Sequence, residues 1–299
     1  MFWLFVVLTS LFIALSNLFI RKSVDAGGGE GDPYLLERLA VSGVAISLIA
    51  IFNLGYFPFN LKMAMLGVLA GIMLGSLMWS TGRTLKFGPP GLSLMVINAA
   101  CVVPPILMFL AFGATYGFDY SIYNLIGSAI IIVGMLLGSV HERFGLSRNW
   151  MFWVGITFLL HSLYLTYFQY RSLLMKADPN SSPLLFCCSP EGADIFGIAL
   201  FASATLYQLL LPRNRKEFSL QPLLIWGIGG GVINGLGSFF MLKATESAFT
   251  TNEKTLLFPI YLILLITFCN TWGKVLYGEK ISWLSTAVIA VGILISALL

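Results

Sequence analysis

Charge is scarce in this sequence. Only 10% of its 299 residues are Asp, Glu, Lys or Arg, against about 25% in a typical soluble domain. Such a chain cannot coat a globule with ionised side chains, so a water-soluble enzyme is excluded. Histidine is scarcer still at two residues, which leaves little from which to build a His-rich metal centre or catalytic cluster. Cysteine is limited to four. Cys101 and Cys269 stand inside apolar runs and Cys187 adjoins Cys188 in a polar stretch. That spacing holds no CxxC pair and no disulfide framework, and all four are read as structural. No cofactor is implied.

What the chain has instead is hydrophobic residues, 58% of the total, with a mean hydropathy of +0.89. A net charge of +4 and a pI near 8.9 would, in a polar chain, point to nucleic acid. Here the bases sit at the ends of apolar runs, where they anchor to headgroups and set orientation; the expected partner is a lipid bilayer, and no nucleic acid. A window of about 19 residues marks ten apolar spans: 2–20, 34–53, 63–82, 92–112, 121–140, 150–170, 193–211, 222–242, 248–271 and 282–299. Each is continuous and roughly twice the length of a barrel strand of about 10 residues, so helices are predicted throughout. Residues 1–20 lack a basic leader region and a small-residue cleavage site and end in Arg21-Lys22, as a retained first helix does. The longest connection, 171–192, is polar and carries Pro179, Pro183 and Pro190; it reads as a hinge or a capped surface loop without chemistry.

Internal similarity organises the spans. Gly67-x3-Gly71-x3-Gly75, followed eight residues later by Arg83, recurs 160 residues on as Gly227-x3-Gly231-x3-Gly235, followed eight later by Lys243. Phe2-Trp3 and Arg21 bracket span one as Phe152-Trp153 and Arg171 bracket span six. Tyr116-Gly117 with Ser121 is matched by Tyr277-Gly278 with Ser282, and Asn98 precedes Pro104 by six residues as Glu253 precedes Pro259. The order is kept at nearly one offset, which predicts five helices written twice, residues 1–145 and 146–299, in one membrane-embedded unit. Five is odd, so the second copy starts on the opposite face of the membrane. The expected fold is an all-α integral membrane protein of ten transmembrane helices in two inverted five-helix repeats. Inverted repeats are a transporter signature, because the halves can exchange conformations and open a central site to each side in turn.

The two-times-five arrangement, Arg38 near the start of span two, the glycine-striped third span and the mid-helix proline of the ninth resemble the drug/metabolite transporter superfamily, in its EamA-type ten-helix branch. So does the closing Tyr277-Gly278-Glu279-Lys280-Ile281-Ser282, followed by an apolar helix with Gly292. The likeness covers nearly the whole chain. Two departures bear on substrate class: the first half reads Gly117-Phe118-Asp119 where the Gly-Glu would stand, and Phe258 replaces the acidic residue often found before the ninth-span proline. The resemblance implies a small-molecule transporter with a central cavity, working by alternating access and powered by a gradient or exchange.

Charges inside the apolar layer cost about 2.5–3.5 kcal/mol each on insertion scales, so each asks for an explanation. Glu253 and Lys254 open span nine just before Pro259, which leaves a helix carbonyl free. As functional groups, Glu253 binds a proton or a cationic group and Lys254 a carboxylate; otherwise span nine begins near Thr255 and both stand at the water boundary. Arg83 and Lys243 end the two striped helices, with Trp79 and Phe239 one turn before them, a plate and a charge suited to an amino acid or planar ion; snorkelling explains the same placement. Span six is the most polar run, with Ser162 and Gln169 beside His161, Tyr164 and Tyr167, which share one face, and span one offers Asn17 at the related place; such residues line a cavity or bond between helices. His161 is either a proton carrier or a helix-to-helix hydrogen-bond partner. Asn98 and Asn234 complete the candidate substrate-binding set, while the glycine stripes are assigned to packing and Pro104-Pro105 and Pro259 to kinks.

Lys and Arg divide twelve to five, seventeen in all, in favour of the face reached after span one. By the positive-inside rule that face is cytoplasmic and both termini lie outside. The expected function is secondary transport of a small polar or charged organic metabolite, an amino acid or derivative, with an S-adenosylmethionine-like compound or a nucleotide-conjugated sugar fitting the same pattern. An ion or divalent-metal carrier and a lipid-headgroup flippase are the alternatives on this fold. A membrane-embedded enzyme is not expected, for want of a catalytic cluster. The expected setting is a multi-pass position in an inner, cytoplasmic membrane, as a monomer or weak dimer.

Overall fold

The computed structural model describes residues 1–25, 32–57, 59–87, 90–139, 147–176, 192–211, 223–278 and 283–296. Its regular elements are all helical: α1 (Phe2–Asp25), α2 (Asp32–Leu54), α3 (Leu61–Phe87), α4 (Pro90–Ala99), α5 (Val103–Phe112), α6 (Ile122–Ser139), α7 (Arg148–Lys176), α8 (Ile195–Leu210), α9 (Ile228–Ser247), α10 (Thr251–Tyr277) and α11 (Trp283–Ser296). Six carry windows long and apolar enough to cross a membrane: Phe2–Phe19, Leu35–Leu54, Leu61–Thr84, Arg148–Lys176, Ile225–Ser247 and Thr251–Tyr277. Four shorter apolar stretches, Val96–Phe112, Ile122–Met135, Ile195–Leu210 and Trp283–Ser296, fall in the remaining predicted spans.

The outer surface explains where these helices live. Leu48, Phe52, Leu69, Ile72, Leu125, Val133, Leu159 and Leu206 are all exposed. A monomeric soluble protein rarely shows contiguous apolar patches beyond a few hundred Å²; a multi-pass membrane protein presents them to lipid.

Several boundaries differ from the sequence expectation, for identifiable reasons. Predicted span 92–112 is broken into α4, a tight turn over Ala100–Val102, and α5, because Pro104 and Pro105 lack the N–H groups that a continuous helix needs. They fall instead in the first turn of α5, where those donors are surplus. α7 runs to Lys176, so the connection expected from residue 171 onward begins later, and Arg171 lies inside the bundle. α10 starts at Thr251, behind the cap Thr250, and α9 is preceded by one wide π-helical turn over Leu223–Gly227. Arg143, Cys187, Cys188, Glu279 and Ser282 lie outside the described residues. Cys101 is buried and Cys269 half-buried, both as free thiols.

Packing follows the glycine stripes. A side chain at Gly67 would stand 2.5 Å from the Phe196 carbonyl, one at Gly71 would overlap Ser203 and the Leu200 carbonyl, and one at Gly75 would meet the Tyr207 ring at 2.6 Å. This register sets α3 parallel to α8. In the same way a side chain at Gly231 would meet Val41 at 2.7 Å and one at Gly235 the Ser42 carbonyl at 3.0 Å, which sets α9 parallel to α2. Backbones that close exchange hydrogen bonds through short polar side chains: Gln208 Nε2 donates to the Gly75 carbonyl at 2.9 Å and Ser42 Oγ to that of Gly231 at 2.8 Å. Further pairs are α1 with α9 and α10, α3 with α7, α7 with α4 and α5, α2 with α8, α4 with α6, α10 with α11, and α6 with α11. In the last of these, a side chain at Gly292 would stand 2.7 Å from the carbonyl of Gly127.

Candidate functional site

The last two turns of α7 put Gln169, Ser172, Leu173 and Lys176 on one face, at the i, i+3, i+4, i+7 spacing of neighbours on a helix. Opposite them stand Thr245 and Ala248 at the end of α9, Lys254 and Leu257 in the opening turns of α10, and the turn over Thr115–Phe118 that follows α5. Together they enclose a cavity of about 640 Å³, inside the range of about 300–1,000 Å³ typical of small-molecule sites.

Among the described residues that line it, two lysines are the only charged ones. Lys254 Nζ donates to the Tyr116 carbonyl at 3.0 Å and lies 5.0 Å from the centre of the Phe118 ring. Gly117 makes room for it: its φ of 72° is left-handed, and a Cβ there would come within 2.6 Å of the ammonium. Lys176 Nζ donates to the Ala248 carbonyl at 2.7 Å and lies 4.4 Å from the centre of the Phe249 ring. Ser172 Oγ donates to the Thr245 carbonyl at 2.6 Å, which ties α7 to α9. Gln169 is buried. Its Nε2 donates to the Lys254 carbonyl at 2.7 Å, while its Oε1 accepts from no group among the described residues.

Behind this wall lies an ion-pair cluster. Arg171 has no exposed surface and pairs with Glu246 at 2.7 Å; it also donates to the Ala193 carbonyl at 3.2 Å and lies 4.7 Å from the centre of the Phe196 ring. Lys243 bridges Glu246 and Asp194, each at 3.1 Å. A buried charge survives only when paired, and here four charges from α7, α9 and the turn before α8 neutralise one another.

The expected site residues are dispersed. Lys254 lines the cavity. Lys243 lies close behind it, with its charge already engaged by Glu246 and Asp194. Glu253 completes the N-terminal cap of α10: its carboxylate accepts from the backbone N–H groups of Phe249 at 2.9 Å and Thr250 at 3.0 Å, while Thr250 Oγ1 accepts from the Glu253 N–H at 3.2 Å. Trp79 and Arg83 form a separate stack with Trp153 towards the other end of the bundle, the guanidinium 5.6 Å and 5.9 Å from the two indole centres. Asn234 holds Arg38, whose guanidinium donates to its Oδ1 at 2.8 Å. His161 Nδ1 lies 2.9 Å from the Ile97 carbonyl, joining α7 to α4. Asn98, the next residue, is half-buried in the last turn of α4. Tyr164 packs edge-on against Phe168 and Tyr167 stacks on Phe196, while Asn17 hydrogen-bonds Cys269.

Lys176, Arg171, Glu246 and Asp194 escaped the sequence reading. The polar stripe Gln169-Ser172-Lys176 and the i, i+3 pair Lys243 and Glu246 were visible signals, hidden by ending span six at residue 170 and span eight at 242.

No protein-family model and no curated protein matches the chain. A solved crystal structure of a protein is similar in fold, with a TM-score of 0.68 at 13% identity over 98% of this chain and 98% of that one. At that identity the likeness concerns fold alone.

Proposed function

We propose that the chain is a secondary transporter that moves a small polar or charged organic metabolite across a membrane by alternating access, its ten spans forming two inverted five-helix repeats. The observation that carries this reading is the pairing of helices. Exchange α1 with α7, α2 with α8, α3 with α9, α4 and α5 with α10, and α6 with α11. The pair α2 and α9 becomes α8 and α3, α1 and α9 becomes α7 and α3, α1 and α10 becomes α7 with α4 and α5, and α4 with α6 becomes α10 with α11; all of these are packed pairs. The pairs α2 with α8 and α6 with α11 map onto themselves. A packing scheme whose principal pairs survive exchange of its halves supports two conformations of equal topology, which is what alternating access requires.

The cavity supports the same reading. It is formed mainly by the second half and closed by the Thr115–Phe118 turn of the first, at one end of the bundle. At the other end Lys22 lies 5.0 Å from the centre of the Tyr277 ring, and Tyr277 is the repeat counterpart of Tyr116. The resemblance to the EamA-type branch and a cytoplasmic-membrane location belong to this proposal.

The test is uptake of labelled metabolites into liposomes holding the purified chain, with single cysteines introduced at Thr115 and Lys22 as reporters. Uptake above that of empty liposomes is expected, with the two cysteines reachable from opposite sides and never both from one. Simultaneous access of both from one side, or no uptake of any solute by folded protein, overturns the reading.

A further inference from the structure

Among the described residues that line the cavity every charge is positive, and neither lysine forms an ion pair there; their partners are the carbonyls of Tyr116 and Ala248. The two ammonium groups repel each other. The nearby carboxylates are engaged elsewhere. Glu246 is held by Arg171 and Lys243, and Asp194 by Lys243. Glu253 accepts from two backbone N–H groups, and Asp119 accepts from the backbone N–H of Tyr120. No described acid faces the cavity to receive a cationic group. Among the described residues of its wall, the one buried polar atom with no partner is an acceptor, Gln169 Oε1.

Resting on the transport reading, we propose that the cavity binds a small organic anion, a carboxylate or phosphate ester that also carries a hydroxyl or N–H donor. The anionic group sits between Lys176 and Lys254, and the donor bonds to Gln169 Oε1. Lysine suits this role because its three ammonium hydrogens can keep a carbonyl partner while accepting an anion. A charge-assisted bond relieves the repulsion between the lysines, whereas an ammonium group would add to it. The binding energy therefore selects against cations and zwitterions, and amino acids are not the preferred substrates.

The experiment uses the full chain, purified in a neutral detergent and titrated with four probes at matched ionic strength: malate, glycerol 3-phosphate, the zwitterion alanine and the cation choline. A fifth sample is supplemented with phosphatidylglycerol, to separate a soluble anion from a lipid headgroup. Malate or glycerol 3-phosphate is expected to bind and to raise the unfolding temperature, with alanine and choline inert and the lipid not competing. Loss of one lysine, in Lys176→Gln or Lys254→Gln, is expected to weaken anion binding roughly tenfold or more, and Lys254→Arg to restore it. The doubly reversed protein, Lys176→Glu with Lys254→Glu, is expected to take choline instead. Lys176 is at an exposed helix end, so its variant decides the matter even if those at Lys254 do not fold. Equal binding of alanine or choline, unchanged anion affinity in the lysine variants, displacement of the anion by the lipid, or no anion binding overturns the proposal. Anions that bind without crossing liposomes leave the site standing and sink the transport reading. Alanine crossing without anion binding does the reverse.

Discussion

Arg171 reaches across the bundle to Glu246, 75 positions away in sequence, and pairs with it at 2.7 Å with no surface of its own exposed to solvent. The pair locks the end of α7 to the end of α9, beside the cavity. Removing one partner strands the other charge, so Glu246→Ala is expected to destabilise the protein by about 3–5 kcal/mol. Replacing both groups with apolar ones of similar volume, as in Arg171→Met with Glu246→Leu, is expected to recover most of that loss. Chemical unfolding in detergent measures both, and a double variant as unstable as the single one refutes the assignment.

Glu253 caps α10 from a partly exposed position. Glu253→Ala is expected to cost about 0.5–2 kcal/mol, the usual worth of a lost helix cap. Glu253→Gln retains an acceptor for the cap and is expected to transport normally. A Gln variant that is stable but uncoupled from the driving gradient would return Glu253 to a proton-binding role.

His161 spends its Nδ1 on the Ile97 carbonyl at 2.9 Å. His161→Ala is expected to lower stability by about 0.5–1.5 kcal/mol, the net worth of one hydrogen bond, and to leave the pH profile of uptake unshifted. A shifted profile would identify the imidazole as part of the proton path.

The glycine stripes set how closely helices approach. Gly71→Leu is expected to abolish folded protein, because its first side-chain carbon already overlaps the Leu200 carbonyl, while Gly82→Ala on the same helix has open space within 4 Å and is expected to elute as wild type. Size-exclusion profiles in detergent distinguish the two outcomes, and a well-behaved Gly71→Leu variant contradicts the packing of α3 on α8.

Much of the fold was legible because its signals are local. Long apolar runs specify helices without reference to any other part of the chain, and Gly67, Gly71, Gly75, Gly231 and Gly235 mark the helix faces that pack wherever their partners are. Pro104 and Pro105 announced a break in span four, and the structure places it there. The site was much less legible. Lys254 could be singled out because it stands near a helix start, but Lys243 and Glu253, equally conspicuous, are absorbed by an ion-pair cluster and a helix cap. Lys176 and Arg171 were lost with the last turns of α7, which hydropathy ends early because it scores a charge without seeing its partner.

The sequence alone therefore determined the solvent in which this protein folds, its secondary structure and the helix surfaces available for close approach, since composition and periodicity act within a single segment. Only the tertiary structure decided which charges are spent and which stay available. Glu246 neutralises Arg171 and Lys243 because α7 and α9 meet in one particular register, and Lys176 and Lys254 have no ion-pair partner among the described residues because that same register carries their potential counterions to other groups. Ion pairing across helices depends on distances of a few ångströms between segments far apart in the chain, a quantity that no pattern within one segment encodes.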